Sequence, residues 1–185
     1  MDFSNVIYSL NTSQDDVLRN IVKLYIPEGR IHLDCTYSKG VFYKNLPELE
    51  PLLKSDLNPQ TSDTIEANAN NLPFADNSIR SIVYDPPFVF GINPPESENK
   101  SVIRKRFSSY KSMKHLFADY KRSIREFARI LTPRGILVVK CQDVTDVKQY
   151  LTHVEIILQA SMVGLACEDL FVVKYRNTPM IAPHW

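Results

Sequence analysis

The 185-residue chain carries 44% hydrophobic and 23% charged residues and a net charge of +1, the profile of one globular domain with a substantial core. No apolar run approaches membrane-spanning length, and the start Met1-Asp2-Phe3-Ser4-Asn5 lacks the basic-then-apolar pattern of a secretion signal. With near-neutral charge, any basic footprint for nucleic acid has to be local. Cys35, Cys141 and Cys167 lie in strand-like runs without metal-ligand spacing, which predicts buried, reduced thiols and a cytoplasmic protein. No repeat or interdomain linker is visible, so residues 1–185 are read as a single domain.

Residues 1–11 carry no clear signal. Thr12-Ser13-Gln14-Asp15-Asp16 reads as a helix start, with a hydroxyl cap and acids in the first turn, and Val17, Leu18, Ile21, Val22 and Tyr25 follow at helical spacing up to Pro27-Glu28-Gly29. Ile31–Cys35 is a short strand and Thr36–Gly40 the turn after it. Pro47 and Pro51 leave room only for a short or distorted crossover helix before the next strand, Leu52–Asp56, which Pro59 breaks. Thr64–Asn68 is a third, weaker strand, and Leu72–Ser78 a loop.

Ser81-Ile82-Val83-Tyr84-Asp85-Pro86-Pro87-Phe88 is the stretch that organises the rest. Ile82–Tyr84 reads as a buried strand, and the two prolines, having no N–H for a ladder, stop it. Each proline also holds the residue before it extended. The result is a stiff loop at the carboxyl end of a strand, where open α/β sheets bind ligands. Asp85 sits at its root and Phe88 at its tip. The Asp85 carboxylate and the Pro86 carbonyl can accept from both N–H bonds of an exocyclic base amine, freeing its lone pair, while Phe88 stacks on the ring. The bland alternative is a proline turn with Phe88 packed in the core.

Residues 89–114 form a long polar segment with six basic residues, Lys100, Arg104, Lys105, Arg106, Lys111 and Lys114, against two acids, Glu96 and Glu98. Phe107 and Tyr110 are interleaved with them. That pattern suits phosphates and bases, and it equally suits a solvated loop with two anchoring aromatics.

Leu116, Phe117, Tyr120, Ile124, Phe127, Ala128 and Leu131 mark a helix that Thr132-Pro133-Arg134-Gly135 ends. His115, just before it, is read as surface or phosphate-facing. Ile136–Cys141 is a near-continuous apolar strand of the kind buried on both faces. Lys140 and Asp143 follow it, either lining an acceptor site or as satisfied strand-end polar residues. A helix from Thr145 or Asp146 to Met162 or Val163 and a last strand, Leu170–Tyr175, complete the chain. The alternation predicts an α/β fold with a mostly parallel, doubly wound sheet.

Three further strand ends carry polar groups: Asp34 after the first, Asp56 after the second and Asn68 after the third. Four such ends at one sheet edge, Asp85 included, suit a nucleoside-like ligand with the reacting group beside it. On these motifs the chain resembles the class I S-adenosylmethionine-dependent methyltransferases, and within them the Asp-Pro-Pro-Tyr/Phe amino-methyltransferases best known among adenine DNA methylases. Leu33–Gly40 matches the first cofactor motif, Asp56 the ribose-binding acid, Asn68–Ser78 the adenine-side motif, and Arg129–Gly135 the run into the fifth strand.

The resemblance implies a Rossmann-like sheet. It implies S-adenosylmethionine held by Asp34, Thr36, Ser38, Gly40, Asp56, Asn68 and Leu72, catalysis at Asp85, Pro86, Pro87 and Phe88, and nucleic-acid contacts from Lys100, Arg104, Lys105, Arg106 and Lys111. Adenine N6 in DNA is the first acceptor it implies, ahead of RNA guanine N2 or adenine N6 and of cytosine N4. A decayed copy that only binds nucleic acid or scaffolds a partner is the other reading. Ser38 stands where the family has glycine, and Asn68 where it has an acid. No segment is left for the family's seventh strand or for a separate recognition domain, so modest sequence specificity, or specificity supplied by a partner subunit, is expected.

Overall fold

The computed structural model describes residues 6–88, 110–145 and 148–174. Five strands form the central sheet: β2 (Leu33–Asp34), β3 (Leu53–Asp56), β4 (Ile65–Glu66), β5 (Ile79–Tyr84) and β6 (Leu131–Val139), with β1 (Leu10–Asn11) lying outside it. Their spatial order is β4-β3-β2-β5-β6 and every pairing is parallel. Strands therefore step outward from β2 in one direction and from β5 in the other. This is the doubly wound, Rossmann-like arrangement, and its switch point lies between β2 and β5.

The alternation of β5 explains why both faces of the sheet are covered. Ile82 and Tyr84 point into a core built with α2 (Met113–Ile130), through Leu116, Tyr120, Ile124 and Phe127. Val83 points the other way, into a second core with Leu18, Val22 and Ile26 at α1 (Gln14–Tyr25). The hydroxyl cap expected at α1 is Ser13, whose side chain accepts from the Asp16 N–H. The distorted crossover is a pair of 3-10 turns, Val41–Tyr43 and Pro47–Leu49, that seat Tyr43, Leu46 and Leu49 in the second core.

Several expectations are corrected. The helix placed from Thr145 begins only at Thr152: β7 (Val144–Thr145) pairs antiparallel with β8 (Gln149–Tyr150), and α3 (Thr152–Ser161) follows. β-Branched Val144 and Thr145 favour that extended start. The last strand, β9 (Val172–Val173), pairs with β1 rather than extending the main sheet, so the chain's silent first segment is half of a separate two-stranded sheet. Ile136–Val139 are half-buried, because β6 is an edge strand among the described residues. α2 begins at Met113, inside the segment read as loop. Cys35 is buried as expected, but Cys141 is half-buried and Cys167 is exposed outside any strand.

Candidate functional site

The carboxyl ends of β2 and β5 lie side by side, since Asp34 pairs with Val83 in the ladder. One hydroxyl ties them together. Thr36 Oγ1 accepts the Asp85 N–H at 2.8 Å and donates to Asp34 Oδ1 at 3.2 Å, and the Thr36 N–H reaches the same oxygen at 2.7 Å. The other Asp34 oxygen accepts from Tyr43 Oη at 2.9 Å. Burial raises the Asp34 carboxyl to about 7 against the pull of the Thr36 and Tyr43 bonds, and the Asp85 charge adds to the rise. Asp34 is a buttress beneath the site.

The loop beyond β5 is pinned from the opposite face. Tyr120, fully buried in α2, donates its hydroxyl to the Pro87 carbonyl at 2.9 Å. A cleft of about 350 Å³ opens over this frame, lined by Thr36–Ser38, Val41, Phe42, Asp85–Phe88 and Lys140. Its volume falls at the small end of ligand sites. Lys140 Nζ lies 3.1 Å from Asp85 Oδ2 and 5.3 Å from the centre of the Phe42 ring. Lys140 is placed by register: its N–H bonds the Tyr84 carbonyl at 2.9 Å, one residue before Asp85.

Of the expected cofactor residues, Thr36 and Ser38 line the cleft. Asp56 is buried, and its oxygens accept the backbone N–H groups of Ser38 at 2.9 Å and Asn58 at 2.8 Å. Ser38 has φ +55°, the left-handed region that favours glycine. Gly40, at φ +67°, packs under the Tyr37 ring. Asn68 and Leu72 do not line the cleft. Asn68 Oδ1 accepts from the Asn70 N–H, and the loop is fastened to α2 instead. Asn70 bonds Asp119 and Ser123, the Leu72 N–H bonds Glu126, and Arg129 holds the Leu72 and Phe74 carbonyls together with Asp76.

Asp143 pairs with His153 at 2.8 Å, away from the lining, and His115 is exposed and bonded to Ser112. Lys111 is exposed, whereas Lys100, Arg104, Lys105 and Arg106 lie outside the described residues. Sequence reasoning missed the site roles of Tyr120, Tyr43 and Phe42. For the two tyrosines a signal existed: a buried phenol normally needs a hydrogen-bond partner, so a tyrosine at a core position asks what its hydroxyl holds. Among the described residues no cluster could hold a metal ion, and no helix is long and apolar enough to cross a membrane.

No family model matches the chain, and no curated protein matches it. Among solved structures it is similar to that of a protein named "Putative DNA Modification Methylase" from Thermus thermophilus, with 19% identity and a TM-score of 0.38. The match covers 53% of this chain and 38% of that one, so this chain spans well under two thirds of that protein's length.

Proposed function

We propose that the protein is an S-adenosylmethionine-dependent amino-methyltransferase acting on an exocyclic base amine in nucleic acid, with adenine N6 in DNA as the favoured acceptor. The observation that carries the reading is the Asp85 carboxylate at a cleft on the sheet's switch point, on a loop held by Thr36 from one side and Tyr120 from the other. Two prolines and two anchors, the half-buried Thr36 and the fully buried Tyr120, leave that carboxylate little freedom, which is the condition for electrostatic preorganisation.

The residues present fit part of the cofactor. Thr36 and Ser38 line the cleft, and with the Thr36 hydroxyl held between Asp85 and Asp34 it is Ser38 whose hydroxyl suits the zwitterionic amino-acid end. Asp56 does not fit the ribose role in this arrangement, because it is buried beneath the Ser38 and Asn58 N–H groups and does not line the cleft. S-Adenosylmethionine, when bound, supplies an electrophilic methyl carbon. The chain's own part is to present the amine. Asp85 and the Pro86 carbonyl accept its two N–H bonds, which favours a pyramidal nitrogen with a free lone pair. Phe88 stacks on the base and returns about 1–3 kcal/mol of the few kcal/mol that unstacking costs. The proton leaves to solvent, so no side chain need act as base.

The test is transfer of labelled methyl from S-adenosylmethionine to duplex DNA, single-stranded DNA and total RNA in parallel, with Asp85→Ala as control. Label confined to one pool and lost in the variant is the expected result, and digestion to nucleosides names the base. Near-normal turnover by Asp85→Ala sinks the assignment. The burial of Asp56 outside the cleft lining favours one rival, a copy that binds nucleic acid without transferring methyl. Calorimetric titration with S-adenosylmethionine separates the two, since the rival predicts no binding heat.

A further inference from the structure

Among the described residues Lys140 is the one ammonium group lining the cleft, and the preceding mechanism gives it nothing to do. Its position comes from strand register, not from a loose loop: Tyr84 pairs with Val139, so the residues that follow each strand, Asp85 and Lys140, emerge side by side. An ammonium has three N–H donors. One points to Asp85 Oδ2 at 3.1 Å, and the positive charge lies over the Phe42 ring at 5.3 Å. With Asp85 and Lys140 27% and 34% exposed at the side chain, both are open to the cleft they line.

We infer that Asp85 and Lys140 act as a paired acceptor and donor that reads two neighbouring atoms of the target base, making Lys140 a specificity-determining residue. Asp85 accepts from the exocyclic amine, and Lys140 donates to the unprotonated ring nitrogen beside it. The inference rests on the nucleic-acid part of the proposed function and narrows it. Adenine presents this edge with N6 and N1, and cytosine with N4 and N3. Guanine presents N2 beside an N1–H on its pairing edge, so the lysine would face a donor there. A donor set against a donor in a partly enclosed cleft loses a hydrogen bond on both sides. The pair therefore favours bases whose amine neighbours a bare ring nitrogen on the pairing edge, a condition that guanine, with its bare N3 on the other side of N2, does not meet.

The test uses the full chain and fluorescent single-stranded DNA carrying one adenine, 1-deazaadenine or 7-deazaadenine. Equilibrium binding by anisotropy and labelled methyl transfer are measured for wild type, Lys140→Met and Lys140→Arg. Wild type is expected to disfavour 1-deazaadenine by about tenfold and to treat 7-deazaadenine like adenine, because only the former removes the nitrogen that accepts a charge-assisted bond. Lys140→Met lowers adenine to the 1-deazaadenine level and leaves 1-deazaadenine nearly unchanged, and Lys140→Arg keeps part of the preference. If Lys140→Met weakens both oligonucleotides equally, the lysine only neutralises Asp85 and the inference is overturned. It is overturned as well if wild type does not distinguish the two. Anisotropy reads the pair without any transfer. A chain that discriminates in binding yet transfers no methyl overturns the methyltransferase reading alone, and transfer without discrimination overturns this inference alone.

Discussion

Tyr120 and Pro87 are 33 residues apart in sequence, and the phenol of one donates to the carbonyl of the other at 2.9 Å. The helix that covers the sheet thereby also sets the height of the Asp85–Phe88 loop. Tyr120→Phe keeps the ring packed and removes only the donor. A stability loss of about 1–2 kcal/mol is expected, the usual cost of leaving a partly buried carbonyl without its bond. On the proposed function, methyl transfer falls further than cofactor binding does. Denaturant titration and single-turnover transfer measure the two effects, and unchanged transfer with reduced stability would show that the loop holds its shape without this anchor.

Gly29 and Gly40 form a matched pair for separating backbone strain from steric conflict. Both have left-handed φ, +69° and +67°, but a Cβ at Gly29 meets open space while one at Gly40 runs into the Tyr37 hydroxyl and lies 2.7 Å from Cζ of the same ring. Gly29→Ala is expected to cost about 1 kcal/mol from the left-handed conformation alone. Gly40→Ala must also push Tyr37 aside, breaking its 2.6 Å bond to Glu50. A further loss of about 1–3 kcal/mol is expected, as for other overpacked sites. Equal melting temperatures for the two variants would contradict the packing at Gly40.

Asp34 gives the protein a pH signature. Burial raises its carboxyl from 3.8 to about 7, so the folded chain holds a proton that the unfolded chain releases across that interval. The contribution of the neutral carboxyl is complete below about pH 4 and is lost as pH rises through about 7. Asp34→Asn removes the titration. The wild-type stability curve is expected to fall relative to that of Asp34→Asn between about pH 4 and 7, by on the order of a few kcal/mol, and to run parallel above it. Parallel curves throughout would mean that Asp34 ionises like an exposed acid.

Arg129 is the clamp of the loop after β4. Its guanidinium bonds Glu126 and Asp76 and reaches the Leu72 and Phe74 carbonyls. Arg129→Ala is expected to speed hydrogen exchange in the loop 68–78 by about tenfold, the equivalent of one charge-assisted hydrogen bond. Arg129→Lys restores little, because a point charge cannot span a planar set of acceptors. Exchange confined to α2, with the loop unchanged, would place the clamp's role elsewhere.

The chain order of most elements, the parallel sheet and the Asp-Pro-Pro-Phe loop were legible because each is encoded locally. Proline stops the strand after Tyr84, the apolar run Ile82–Tyr84 declares a strand covered on both faces, and Ser13 caps α1 through the next turn of backbone. Other features depend on contacts distant in sequence. Leu10–Asn11 is a strand only because Val172–Val173 lies beside it, and nothing within the first eleven residues announces that partner. The pairing of Val144–Thr145 with Gln149–Tyr150 stands where a helix was expected because contacts across it outweighed a weak helical pattern.

The same division runs through the site. Which groups stand at the strand ends was written in the chain, since a hydrophobic run followed by a polar residue or a proline marks where each strand stops. What each group does there came from the assembled fold. Asp34 and Asp56 turned inward to accept the N–H and O–H donors of neighbouring turns, Asp85 faced the cleft, and Lys140 came to lie 3.1 Å from it. A carboxylate takes its role from the donors that surround it, and those donors are brought together by strand order and register across dozens of residues rather than by local sequence.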